Sequence, residues 1–337
     1  MPHESRRLRI LTWHVHGSYL YYLTHVPHDF YVPVRPGRPA GYGGRAGSFP
    51  WPDNLHEVPA DELHELELDC VLYQSAKHYL EDGPELLSDE QLALPAIYLE
   101  HDPPRESPTD TRHPVDDGSV LLVHVTHFNA LMWDSGDTPT RVIEHGVTIP
   151  DDARYSGELA RGITVVNDLA SRGRRLGADL FMAARSRVPL DLVGMGAEAM
   201  GGLGEVQPPG LARFAARYRF FFNPIRYTSL GLAICEAMMA GMPIVGMATT
   251  ELVSVVENGE SGWIDTKLEP LIEHMNALVA SPAEARRLGE GARRTALERF
   301  GIDRFARDWA EAFALVTGAR APRRRARQPM VVSGGPI

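Results

Sequence analysis

The stretch FFNPIRYTSLGLAICEAMMAG (221–241) decides how the chain is read, because it places a carboxylate, Glu236, inside a run that otherwise has the content of helix core. A strand-like run, FFFNP, leads through the loop IRYTS into a helix expected to begin near Leu230 and Gly231. In an open α/β sheet, ligands bind beyond the carboxyl ends of the strands, where helix N-termini present free N–H groups. Gly231 lets the backbone approach such a ligand with no side chain in the way. Glu236 follows about one and a half turns later. There it can accept hydrogen bonds from sugar or ribose hydroxyls; the alternative is a carboxylate paired with an arginine beside a core helix. Next, MPIVGM reads as another buried strand, with Thr249, Thr250 and Glu251 at its exit and a turn before Trp263. Two successive strand exits thus present polar groups to one crevice.

Similar short apolar runs recur outward from this stretch. LRILTW, DCVLYQ, PAIYLE and SVLLVHVT lie in the first half, and ITVVND, LDLVGM and YRFFFNP in the second. Unalternating runs of this length suit strands buried on both faces of a parallel sheet. Segments with helical spacing, such as RLGADLFMAARS, lie between them, so the pattern is strand, helix, strand in each half, an α/β architecture. The 337 residues are enough for two domains of about 150 residues each. The Gly-, Pro- and Asp-rich stretch WDSGDTPTRVIEHGVTIPDDARYSG sets the expected boundary near Pro150, giving domains over 1–150 and 151–317. PVRPGRPAGYGGRAGSFPWP (33–52) reads as a long surface loop over the first domain. The end, 318–337, has an arginine cluster without apolar periodicity and reads as a disordered basic tail, with attraction to anionic lipid as the alternative.

The net charge of −10 argues against nucleic acid or an anionic membrane as the main partner. Cys70 and Cys235 both sit in apolar runs, as buried thiols of a reducing compartment do, which makes the cytoplasm the expected location. MPHESRRLRILTW lacks the apolar region of a signal peptide, and no uncharged apolar run approaches the roughly 20 residues that span a bilayer. Peripheral contact with the inner membrane face stays compatible with these features.

Over 228–264, TSLGLAICEAMMAGMPIVGMATTELVSVVENGESGWI resembles the retaining glycosyltransferases of family 4. Their signature has the form E-x-F-G-L-x-x-x-E-A-M-A-x-G-x-P-V-V, then a small-residue turn with a glutamate. The matches fall on Gly231, Leu232, Glu236, Ala237, Met238, Gly241, Pro243 and Glu251. The resemblance implies two facing Rossmann-like domains, the B-type glycosyltransferase fold, with a C-terminal helix crossing back to the first. It also implies a nucleotide-sugar donor, with Glu236 on its ribose, Thr228, Ser229, Leu230 and Gly231 against sugar and diphosphate, and Thr250 and Glu251 beside them. The family's first glutamate falls on Thr228 and its usual aromatic on Leu230. Threonine can hydrogen-bond a sugar hydroxyl but carries no charge, which bears on donor identity and on activity. GITVVNDLASRGRRLGADLFMAA is similar to the segment in which the family holds the diphosphate, with Arg172, Arg174 and Arg175 as the candidates. A solvated, arginine-rich helix start is the alternative.

In the first half, WHVHGSYL (13–20) stands where the family has its acceptor loop, so His16, Gly17 and Ser18 are acceptor candidates. YLEHDPPRESPTD resembles the segment at which the family holds a histidine near the reacting carbon. His101 is the catalytic candidate there, with Asp102 fixing its orientation; a structural histidine capping the loop is the alternative. VHVTHFNAL places Thr126 at a helix start and His127 toward the cleft as an acceptor contact, and RVIEHGVTIP resembles the interdomain hinge with Glu144 and His145 in place of Pro and Asn. His14 and His16 also form an H-x-H pair, the metal-site motif of amidohydrolase barrels. That barrel does not fit the match over 228–264.

The leading expectation is a retaining glycosyltransferase that uses a nucleotide-diphosphate sugar and no metal or other cofactor. Its partner would be a glycan, lipid or small-molecule acceptor, in polysaccharide or glycoconjugate synthesis. A degenerate member that binds nucleotide or glycan without turnover is the second expectation, and a metal-dependent hydrolase the third.

Overall fold

The computed structural model describes residues 6–318. The basic tail expected at the end lies, from residue 319, outside the described residues.

Among the described residues the strands form two sheets, parallel throughout. The first contains β1 (Arg9–Leu11), β2 (Asp29–Val34), β3 (Leu55–Pro59), β4 (Cys70–Tyr73), β5 (Ala96–Glu100), β6 (Val120–His124) and β7 (Thr140–Val142), in the order β3-β2-β1-β4-β5-β6-β7. The second contains β8 (Leu159–Val165), β9 (Leu190–Val193), β10 (Tyr218–Asn223), β11 (Ile244–Met247) and β12 (Gly262–Asp265), in the order β12-β11-β10-β8-β9. Helices cover the faces. Every residue of β4, β6 and β10 is buried, which is why these strands read as unbroken apolar runs. The arginine inside YRFFFN is buried too: Arg219 donates to the carbonyls of Gly157, Leu278 and Val279, which replaces the water it loses.

Four strands depart from the sequence expectations. β2 includes Pro33 and Val34, expected in the long loop, which instead connects β2 to β3 over 35–54. β12 follows the expected turn, in a segment where no strand was expected, and β3 and β7 are the remaining additions. β3, β7 and β12 stand at sheet edges, where one side of a strand faces solvent and polar residues interrupt the apolar run.

The winding direction reverses between β1 and β4 in the first sheet and between β8 and β10 in the second. Such switch points are where loops diverge and leave a crevice, and the two crevices open toward one gap.

The C-terminal helix, Ile302–Gly318, crosses back onto the first domain, as the resemblance implied. Trp309 Nε1 donates to the Tyr19 hydroxyl at 3.2 Å, Phe313 meets the rings of His28 and Phe30, and Arg141 pairs with Glu311 at 2.8 Å. Phe305, Trp309 and Phe313 are fully buried, each worth about 1.5–3 kcal/mol of apolar transfer. Among the described residues no helix is long and apolar enough to cross a membrane. Both cysteines are buried.

Candidate active site

A cleft of 290 Å³ lies where the two switch points face each other. The first domain contributes His16 and Tyr19 after β1, and His101, Asp102 and Arg105 after β5; His145 enters from the linker. The second contributes Asn167 and Arg172 after β8 and the loop Thr228, Ser229, Leu230, Gly231 after β10. Gly231 is the N-cap of the helix Leu232–Ala240, with no side-chain cap. A Cβ on Gly231 would meet nothing within 4 Å, and Gly231 and Leu232, at the start of that helix, line the cleft. The Ser229 hydroxyl is buried in the cleft wall without a hydrogen-bond partner.

Of the three candidate arginines only Arg172 lines the cleft. Gly173 breaks the helix Leu169–Leu176 with φ 56° and ψ −139°, so the residues on either side of it point differently. Arg174, beyond the break, is exposed and pairs with Asp179 at 2.7 Å, which takes it out of the site. Arg175 does not line the cleft either; its carbonyl accepts from the N–H groups of Arg226 and Tyr227, though its charge acts on Arg172. Burial and the nearby Arg175 and Arg105 push the Arg172 guanidinium below its ordinary value, while Asp102 opposes them. Asp102 is itself bound to Arg105 at 2.5 Å. Cationic charge is therefore in surplus.

The imidazoles of the cleft are held neutral. Burial pushes His16 and His101 down, and pushes His145 to about 4. His145 Nε2 lies 2.8 Å from the Leu230 carbonyl, tying the linker to the loop after β10. The expected pairing of Asp102 with His101 is not what forms. Asp102 is turned to Arg105, and its carbonyl accepts from Trp133 Nε1 at 2.8 Å. His101 Nε2 instead lies 3.0 Å from Oε1 of Gln74.

Glu236 opens onto a different space. It lines a cavity of 330 Å³ one turn further along the same helix, with Ser18, Tyr21, Tyr22 and Phe49 on the first-domain side and Pro208 and Pro209 opposite. The Tyr22 hydroxyl donates to Glu236 Oε1 at 2.7 Å. Burial pushes the carboxyl up to about 7, against the pull of that hydrogen bond. No arginine pairs with it among the described residues, so the alternative of a core ion pair is not observed.

Other candidates serve elsewhere. Glu251 is buried and clasps the two domains: its Oε2 accepts from the Phe128 N–H at 2.8 Å and its Oε1 from Ser254 at 2.6 Å. Thr250 holds a left-handed turn at φ 50° and does not line the cleft. His127 is exposed at the first turn of His127–Met132, outside the cleft. Gly17 starts the helix Gly17–Leu23, and a Cβ there would meet Phe49 at 2.7 Å, so it admits the 35–54 loop rather than a ligand. The H-x-H pair is split because β1 ends at Leu11: His14 Nδ1 lies 2.6 Å from the Gly44 carbonyl, while His16 faces the cleft. Both sheets are open, which corrects the barrel on which the metal-hydrolase expectation rested.

Sequence reasoning missed Tyr19, Arg105, Asn167 and Gln74 as parts of the site, and placed His145 only at the hinge. Arg105 and His145 stood inside quoted segments, and their charge and side-chain chemistry were the available signal. Gln74 had none.

Residues 178–281 match the sequence model of the family Glycosyl transferases group 1. No curated protein sequence matches the chain. Among solved structures, sucrose-phosphate synthase from Thermosynechococcus elongatus superposes with a TM-score of 0.68 at 17% identity, covering 93% of this chain and 100% of that one. HepE from Anabaena, solved with UDP and glucose, gives 0.65 at 14%, covering 92% and 100%. AviGT4, a glycosyltransferase involved in avilamycin A biosynthesis, gives 0.61 at 16%, covering 93% and 99%. The chain has the two-domain, Rossmann-like fold of the B-type glycosyltransferases, and its second domain carries the segment that matches Glycosyl transferases group 1.

Proposed function

We propose that the protein moves a sugar from a nucleoside-diphosphate donor to the hydroxyl of a glycan, lipid or small-molecule acceptor, with retention of anomeric configuration, in cytoplasmic synthesis of a polysaccharide or glycoconjugate. The observation that carries this reading is the surplus of guanidinium charge at Arg172 facing an uncapped helix N-terminus at Gly231 across a cleft at both switch points. A departing diphosphate needs that environment: developing negative charge met by charged donors and oriented N–H groups that do not have to reorganise. Residues 151–317 act as the donor domain and 1–150 as the acceptor domain.

In the reaction the acceptor oxygen bonds to the anomeric carbon on the face from which the diphosphate leaves. The bond from that carbon to the phosphate oxygen breaks, and the hydroxyl proton passes to the departing phosphate. Arg172 and the N–H groups after Gly231 take the leaving charge, Ser229 and Thr228 hydrogen-bond the sugar, and the ribose lies toward Glu236. The scheme calls on no metal or other cofactor.

Thermal unfolding with UDP, GDP, ADP and their sugars tests this. One nucleotide at about 100 times its Kd is expected to add about 2.7 kcal/mol of stability. Arg172→Ala is expected to weaken that nucleotide about 10- to 150-fold, the worth of a hydrogen bond to a charged group, while Arg174→Ala leaves it unchanged. Absence of any nucleotide effect sinks the reading. Thr228, standing in the cleft where the resembling family has a glutamate, favours a second reading of binding without turnover; donor hydrolysis by the purified chain removes it.

A further inference from the structure

Gln74 follows β4, is buried, and does not line the cleft, yet it reaches the cleft through His101. Its amide nitrogen lies 2.8 Å from Thr12 Oγ1 and 2.8 Å from the Trp13 carbonyl oxygen. A carbonyl oxygen only accepts, so the end of the amide facing Trp13 must be the NH₂ group. A flipped amide would set two carbonyl oxygens against each other. Oε1 is therefore fixed toward His101, whose Nε2 stands 3.0 Å away. An acceptor at that distance requires the proton on Nε2, and a neutral imidazole protonated there has its lone pair on Nδ1.

Among the described residues no hydrogen bond reaches His101 Nδ1, and the residue lines the cleft. The ring cannot turn freely, because the edges of His16 and Tyr19 meet it at centroid distances of 4.8 and 5.0 Å. Burial favours the neutral form of the ring, the neighbouring His16, His145 and His78 act in the same direction, and Asp102 is tied to Arg105.

We propose that Gln74 is a positioning residue that holds His101 in the neutral, Nε2-protonated form, so that Nδ1 accepts a hydrogen bond from a hydroxyl of the bound sugar. The sugar as ligand rests on the glycosyl-transfer reading; the tautomer does not. An acceptor fixed in this way favours a donor sugar bearing a hydroxyl at that place over its deoxy analogue, because the analogue leaves Nδ1 unpaired.

The test is a two-bond proton–nitrogen spectrum of the histidine side chains in the full-length labelled chain, with His101 assigned by its loss in His101→Gln. The wild type is expected to show His101 protonated on Nε2 alone between about pH 6 and 8. Gln74→Leu is expected to mix the two tautomers, and Thr12→Val to leave the wild-type pattern, since the Trp13 carbonyl still orients the amide. Gln74→Glu keeps the volume and sets a carboxylate against Nε2, so it is expected to raise the His101 titration and carries the test if the leucine variant does not fold. Protonation on Nδ1 in the wild type, or an unchanged His101 signal in both Gln74 variants, overturns the proposal. With UDP-glucose as the donor probe, Gln74→Leu is expected to lower kcat about tenfold with little change in KM. A wild type that binds nucleotide but turns over no UDP-glucose weighs against transfer from that donor, and the spectrum still decides the tautomer.

Discussion

Two spaces lie along the helix Leu232–Ala240, and they hold their titratable groups in opposite ways. At its N-terminus the cleft buries His16, His101 and His145, so the imidazoles stay unprotonated. One turn on, the aromatic cavity buries Glu236, and among the described residues no cation pairs with it, so its carboxyl holds a proton up to about pH 7. Both effects are desolvation acting against the charged form; the sign differs because one group gains charge with a proton and the other loses it. A helix that is apolar around nearly its whole circumference thus separates a space suited to anionic phosphate from one suited to a neutral, hydroxyl-bearing surface.

The largest expected effect is on the cleft side. His145 binds a proton in the unfolded chain near its ordinary value of 6.5, but in the fold only near 4. As pH falls through that window the unfolded state takes up more protons, so stability falls, by on the order of 3 kcal/mol for this one group. His145→Asn, which keeps a donor for the Leu230 carbonyl, is expected to flatten the acid limb of stability measured by urea unfolding from pH 7 to 4. An unchanged limb would mean that the linker imidazole does not titrate with unfolding.

Glu236→Gln is expected to act with the reverse sign. The folded chain keeps the carboxyl proton up to about pH 7, against an ordinary value of 4.5. Stability therefore falls as pH rises between these values, by up to about 3 kcal/mol and by less to the extent that cavity water reaches the partly exposed side chain. The glutamine variant is expected to remove that decline and to be more stable than the wild type at pH 8. If both variants shifted the same limb, the contrast between the two spaces would fail.

The parts of the molecule visible in the sequence were those whose cause is local. β4, β6 and β10 are apolar because both faces are covered, and Gly231 marks a strand exit because a helix starts there. The edge strands β3, β7 and β12 lack that signature because half their side chains are wet. Roles set by the approach of distant segments were not legible. Glu251 stands in the motif beside the expected donor site, but its partner is the Phe128 N–H, brought to it by domain packing. Likewise Arg172 and Arg174 are two residues apart, and only the backbone break at Gly173 shows which one reaches the cleft. Gln74 gains its meaning from three groups on two distant segments of the chain, neither of which marks it in sequence.

The smallest expected effect isolates the hydrogen bond that joins the domains at the second space. The Tyr22 hydroxyl donates to Glu236 from the opposite domain, and burial holds the phenol itself well above its ordinary range, so it stays a donor at any working pH. At pH 5 its acceptor is a neutral carboxyl, and Tyr22→Phe is expected to cost about 1 kcal/mol; at pH 8 the acceptor is charged, and the cost rises to about 1.5–3 kcal/mol. The same substitution removes the interaction that pulls the carboxyl down, so the falling limb assigned to Glu236 is expected to extend to higher pH. Combined with Glu236→Gln, the tyrosine substitution is expected to cost the same at both pH values, because a neutral amide accepts equally well at each. An equal cost at both pH values in the wild-type background would instead mean that the carboxyl does not change charge between them, and the opposition between the two ends of the helix would be lost.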